Sequence, residues 1–227
     1  MTNTADVPAG CPISDIDPWA DEVLTDPYPA YRTLRDLGPV VWLARHGIPA
    51  LPHFNSVRAA LSDHERFSSA AGAGVDEDWN VQMGTTILTS DPPLHETFRR
   101  PMAVQLSPSA LAPDLPHVAE IADAMTERLV AAGSFDAVTE MASPFSVTVV
   151  ADLLGLPSEG RELLAPLGER AFNVMGPCNP RHEDGRVALA QLMEYSMGTA
   201  MSGQLCPGSR GATLVAGGKP DLIGAYT

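Results

Sequence analysis

Basic residues are scarce in this sequence: 14 lysines and arginines stand against 28 aspartates and glutamates, a formal net charge of −14. A surface so charged repels nucleic acid and anionic lipid, so neither is expected as a partner. Cysteine is scarcer still. Cys11, Cys178 and Cys206 are widely separated and odd in number, which fits neither a disulfide framework nor a zinc site with paired ligand spacing. Reduced thiols and no bound metal ion of that kind are the expectation. No apolar run approaches the roughly 20 residues that span a bilayer. The start, "MTNTADVPAGCPISDIDPWADE", has no basic region followed by an apolar core. Location in the cytoplasm, away from membranes, is expected.

What the chain does have is enough apolar material for a core. Its 227 residues are 44% hydrophobic and 19% charged, a globular balance. We read residues 1–227 as a single domain, with a flexible leader over 1–20 and an exposed linker over 204–220. The fold class is mainly α with a small β-sheet near the N-terminus. In "DPYPAYRTLRDLG", Tyr28, Tyr31, Leu34 and Leu37 recur at helical spacing until Gly38 and Pro39 stop the helix. "PVVWLA" and "IPALPHF" around His46 and Gly47 suit a hairpin within residues 40 to 54, and Asn55 can cap the next helix. Residues 65 to 89, rich in glycine and serine, have no sustained period and read as a long loop. Helices are predicted over 27–37, 55–62, 91–105, 110–131, 144–154, 159–174 and 183–202.

The stretch "TSDPPLHETFRRPM" carries the chemistry. Asp91 is a good N-cap, and proline is tolerated in a first helical turn, where the N–H groups lack helical partners. His95 and Arg99 then stand at i and i+4 on one face, about 6 Å apart. Two donors so placed suit a ligand with two neighbouring carboxylates or phosphates. Pro101, inside the helix, removes a hydrogen bond and predicts a bend just after Arg100.

The order "DPYPAYRTLRDLGPVVWL", "NSVRAALSDHERFSS", "TSDPPLHETFRRPM", "LSPSALAPDLPHVAEIADAMTERL", "ASPFSVTVVADLLGLP" resembles the N-terminal half of the bacterial cytochromes P450, haem-thiolate monooxygenases. The resemblance runs from about residue 15 to 176 and more weakly onward. It implies that His95 and Arg99 bind the propionates of haem, iron protoporphyrin IX. It also implies that Arg100 faces the surface where an acidic ferredoxin docks as electron donor. Residues 68 to 90 resemble the segment over the haem that shapes the substrate pocket, with Thr85, Thr86, Ile87 and Leu88 nearest. Phe172, Val174 and Met175 resemble the roof from a later helix. Gln82 and Thr85 offer hydrogen bonds, and the sequence is similar to relatives acting on small aromatic acids.

The family's iron ligand is a cysteine in a Phe-x-x-Gly-x-x-x-Cys-x-Gly loop. Cys206 has Gly208 two residues later, but Ser202 and Thr199 stand where the first glycine and the phenylalanine belong. Cys11 and Cys178 match less. The acid-threonine pair of the central helix and the later Glu-x-x-Arg pair are also missing, and "PDLIGAYT" resembles the opening of that central helix. The expectation is therefore the front half of a P450 fold, lacking its axial cysteine and inactive alone. A non-catalytic truncated remnant and an acidic helical ligand-binding protein are the alternatives.

Overall fold

Gly38 has no Cβ and Pro39 no N–H, so the helix before them stops and a strand can begin. The computed structural model describes residues 7–218. They fall into two units, residues 7–91 with 175–178 and residues 92–174 with 179–218.

The first unit is built on a three-stranded sheet of β1 (Ile13–Ser14), β2 (Val41–Leu43) and β3 (Ile48–Ala50) in that order. β2 and β3 form the expected hairpin, with Trp42 opposite Pro49, and β1 joins β2 in parallel with Ile13 beside Trp42. A parallel neighbour needs a crossover. α1 (Asp21–Thr25) and α2 (Pro27–Leu37) supply it. Residues 13 and 14 therefore belong to the sheet, although the segment holding them reads as a flexible leader; residues 1 to 6 lie outside the described residues. Leu34, Val41 and Leu43 form a small core with Ile16, Trp19, Ile48 and Ala50 packed on it. Of the α2 stripe only Leu34 is buried, and Tyr28, Tyr31 and Leu37 are exposed. His46, in the hairpin turn, lies 2.9 Å from Asp17 and meets Trp19 edge-on.

Two expectations in this unit are corrected. Asn55 does not cap α3 (Phe54–Leu61), which starts one residue earlier from His53 with no side-chain cap. The stretch 65 to 89 is not all loop, because Glu77–Met83 folds as α4. Asp76 accepts a 2.7 Å bond from the Trp79 N–H, and Glu77 and Asp78 favour the positive end of the helix dipole. The signal was present in "VDEDW" but too short for a periodicity reading.

The second unit is helical: α5 (Leu94–Gln105), α6 (Pro108–Leu111), α7 (Leu115–Ala132), α8 (Ser143–Leu154), α9 (Leu164–Ala171), α10 (Pro180–Met201) and α11 (Arg210–Ala216). The helix expected over 110 to 131 breaks at a 3-10 turn, Ala112–Asp114, where Pro113 and Pro116 remove two N–H groups. The helix expected over 159 to 174 is shorter, with 3-10 turns Arg161–Leu163 and Phe172–Met175 on either side of α9. The segment read as a linker contains α11, whose N-cap is Ser209. "DLIGAYT" lies outside the described residues.

The core of this unit joins α8 to α11: Ala151, Leu154, Leu156, Leu164, Leu167, Ala171, Ala188, Leu192, Ala200 and Leu205. α9 and α10 approach closely because Gly185 leaves room, since a Cβ there would lie 2.8 Å from the Arg170 carbonyl oxygen. A π-helical turn, Ala137–Ala142, runs on into α8. Together, Ala137–Leu154 is a helix long and apolar enough to cross a membrane by length and composition, which the sequence reading did not foresee. Of its residues, Ala151 and Leu154, near the end, are buried in the core.

Asp152 ties α7 to the turn after α8. His117 Nε2 lies 3.0 Å from Asp152 Oδ2, and Arg161 Nη1 donates to Asp152 Oδ1 at 2.6 Å. Burial pushes the Asp152 carboxyl up, but the bonds from Arg161 and His117 outweigh it and hold it below its usual value. The bond to Asp152 pushes His117 above the usual imidazole value, with desolvation opposing and Glu120 adding to the rise. Stability from His117 is thus fully present below its unfolded pKa, about 6.5, and is lost as pH rises through the folded value. Stability from Asp152 is present above its unfolded pKa and lost as pH falls through the folded one. The melting-temperature gap between the parent and His117→Ala is expected to be wider at about pH 5.5 than at about pH 8.5. An identical gap at both would mean that the pair is not ionised.

Candidate functional site

In the second unit, α5 presents the residues singled out by spacing. Met102 is buried, and Phe98, Pro101 and Gln105 are half-buried, which fixes the inward face. His95 is half-buried, and Arg99 and Arg100 are exposed. Among the described residues no hydrogen bond or ion pair engages any of these three side chains. The helix continues through Pro101 to Gln105.

Asp91 does not cap this helix, which begins three residues later, at Leu94, with Pro93 in the cap position. In the first unit Asp91 accepts a hydrogen bond from Ser68 Oγ and another, at 3.0 Å, from the Ser69 N–H. The Ser68 bond, followed by that of Ser69, holds its carboxyl below the usual value. A carboxylate that accepts from a hydroxyl and an amide far back in the chain serves as a tie for the intervening loop.

Within that loop, Thr89 is the organiser that sequence reasoning missed. Its hydroxyl donates to the Gly84 carbonyl at 2.7 Å, receives the Thr86 N–H at 2.8 Å and lies 2.9 Å from Thr86 Oγ1. Thr86 is therefore committed to the turn, with Leu88 N–H donating to its hydroxyl at 3.2 Å. Thr85 and Leu88 remain exposed at the rim, and Ile87 is half-buried. Gln82, on α4, is exposed. Thr86 and Thr89 three apart after a glycine are the signal for such a hydroxyl-bonded turn.

The 3-10 turn Phe172–Met175 carries the remaining candidates. Phe172 is 78% exposed and Val174 is buried, while the Met175 carbonyl accepts the Val75 N–H at 3.1 Å. Structure thus groups Gln82 with Thr85, Thr86, Ile87 and Leu88, groups His95 with Arg99 and Arg100, and sets Phe172 and Met175 on one turn.

None of the protein-family models matches this chain. Over 212 residues, however, the sequence is 33% identical to cytochrome p450 CYP199A2 of Rhodopseudomonas palustris, covering 91% of this chain and 51% of that protein. Curated relatives and structural neighbours alike are cytochromes P450. This chain belongs to the cytochrome P450 family. A second P450 relative, the beta-dihydromenaquinone-9 omega-hydroxylase of Mycobacterium tuberculosis, is 26% identical over 162 residues, 71% of this chain and 32% of that enzyme. The crystal structure of CalO2 superposes with a TM-score of 0.68 at 25% identity, covering 93% of this chain and 56% of that one. The chain thus spans about half the length of the P450 relatives it matches. The mainly helical fold with its small N-terminal sheet is a partial P450 fold.

Cytochromes P450 bind haem iron. The donors on α5 fit the carboxylate side of such a group, because the His95 ring and the Arg99 guanidinium have no other partner among the described residues and sit one turn apart. The axial cysteine ligand is absent from this chain. Cys206 lies in the turn after α10, its N–H bound at 2.8 Å to the Gly155 carbonyl, and Cys11 and Cys178 are half-buried and exposed respectively.

Proposed function

We propose that this chain is the part of a haem-thiolate monooxygenase that grips the haem propionates and shapes the substrate side. The His95–Arg99 pair on one face of α5, without a side-chain partner among the described residues, carries this reading. The Arg99 fork binds a carboxylate through parallel N–H bonds, and His95 adds one donor a turn earlier. Bound haem supplies oxygen activation, with electronics set by a thiolate from outside this chain. In the first unit Ile87, Leu88 and Met175 offer apolar surface, and Gln82 and Thr85 polar groups, to an organic substrate, and in the second unit Phe172 offers a further apolar side chain. A small aromatic substrate suits that mixture. Arg100, exposed and beside Arg99, is the docking cation for an acidic ferredoxin-type donor in the bacterial cytoplasm.

Haem titration of the purified chain, followed by absorbance, tests this. Saturable one-to-one binding that is lost when His95 and Arg99 are both alanine is expected. Binding indifferent to both substitutions would overturn the assignment. The ferrous sample under carbon monoxide should lack the difference band of thiolate-ligated haem, because no cysteine here stands in the ligand loop. Appearance of that band, and its loss in Cys206→Ala, would instead make Cys206 a ligand.

A further inference from the structure

One cation of the second unit, Arg210, the first residue of α11, bonds to three partners far back in the chain. Its side chain is 12% exposed. Nε donates to the Gln105 carbonyl at 2.9 Å, and Nη2 donates to the Ala110 carbonyl at 2.6 Å and to Asp114 Oδ2 at 2.5 Å. Gln105 is the last residue of α5, and Ala110 lies in the last turn of α6. Both carbonyls are among those that a helix leaves without internal partners. A cation at two such ends also meets the negative pole of both helix dipoles, and Asp114 balances the charge.

The base from which Arg210 reaches is itself fixed. Ser209 caps the Ala212 N–H at 3.2 Å, and the Cys206 N–H donates to the Gly155 carbonyl at 2.8 Å. Gly211 lies so close to the Leu154 carbonyl that a Cβ there would collide with it. α5, in contrast, is weakened in its middle, because Pro101 has no N–H to give the carbonyl one turn earlier. A helix that lacks one internal hydrogen bond there gains from having its far end held.

We infer that Arg210 is a positioning residue for the haem-edge helix: by capping α5 at Gln105 and α6 at Ala110 it fixes the course of α5, and through it His95 and Arg99. The inference rests on the reading of α5 as the propionate-binding helix. Capping at Gln105 is a separate matter that can be measured without haem.

Amide hydrogen exchange of the chain carrying Arg210→Met or Arg210→Lys tests the clamp. Loss of charge-assisted bonds should speed exchange at Met102 to Leu106 by about tenfold or more in Arg210→Met, with α9 and α10 unchanged. Arg210→Lys, which keeps the charge but not the fork, should recover part of that protection. Haem affinity should fall about three- to tenfold in Arg210→Met, and adding Arg99→Ala should cost less than in the parent, since both act on one contact. Unchanged α5 exchange, or equal loss across all helices in both variants, would overturn the inference. Faster α5 exchange with no haem binding even by the parent chain would uphold the clamp and sink the haem reading alone.

Discussion

Arg99→Ala is expected to weaken haem retention by about ten- to a hundredfold, the largest effect of any single change on α5. A charge-assisted hydrogen bond contributes about 1.5 to 3 kcal/mol, and roughly 1.4 kcal/mol is tenfold in an equilibrium constant. His95→Ala should do less, because a neutral imidazole is an uncharged donor. Arg100→Ala should leave haem retention nearly unchanged and slow reduction by an acidic donor, more so at low salt, where exposed charges are least screened. Competition of each variant for haem against apomyoglobin gives the affinities. If Arg100→Ala lost haem while Arg99→Ala kept it, the binding face of α5 would be displaced by one residue, and Pro101 would be the first suspect.

Leu156→Ala should destabilise the second unit by about 2 to 5 kcal/mol, since it removes a fully buried side chain from the core and leaves a cavity. In a protein of this size that corresponds to a fall in melting temperature on the order of 10 °C. Leu115→Ala, at a position 60% exposed, should stay within about 0.5 kcal/mol of the parent. Comparable losses in both would mean that the core does not close around Leu156.

Sequence and structure agree where punctuation is local. Pro27 and Gly38 bound α2 where expected, and His46 and Gly47 turn the hairpin. They part where a residue's partner is remote. Asp91 has the composition of a helix cap, yet the hydroxyl and amide of Ser68 and Ser69 claim it, and no local pattern reveals that competition. Prolines at 113 and 116 looked compatible with one helix and instead divide it. β1 was hidden because two residues have no period, and their pairing depends on Val41–Leu43 far ahead. The candidate site was legible only as spacing: i and i+4 set His95 and Arg99 on one face, and the family resemblance supplied the ligand. The Arg210 bonds to Gln105 and Ala110 span about a hundred residues, beyond the reach of any periodicity.

The tie between Asp91 and the serines at 68 and 69 makes the segment between them a cassette. Its ends are pinned by side-chain and backbone bonds outside the variable part, and closing a loop grows more costly only slowly with its length. Exposed residues of this segment can therefore be exchanged while the sheet and α3 keep their places, whereas Trp79, Thr89 and the Val75 N–H bound to the Met175 carbonyl hold its interior. A scaffold with that property lets the rim of a pocket diverge between related proteins much faster than the helices that carry it.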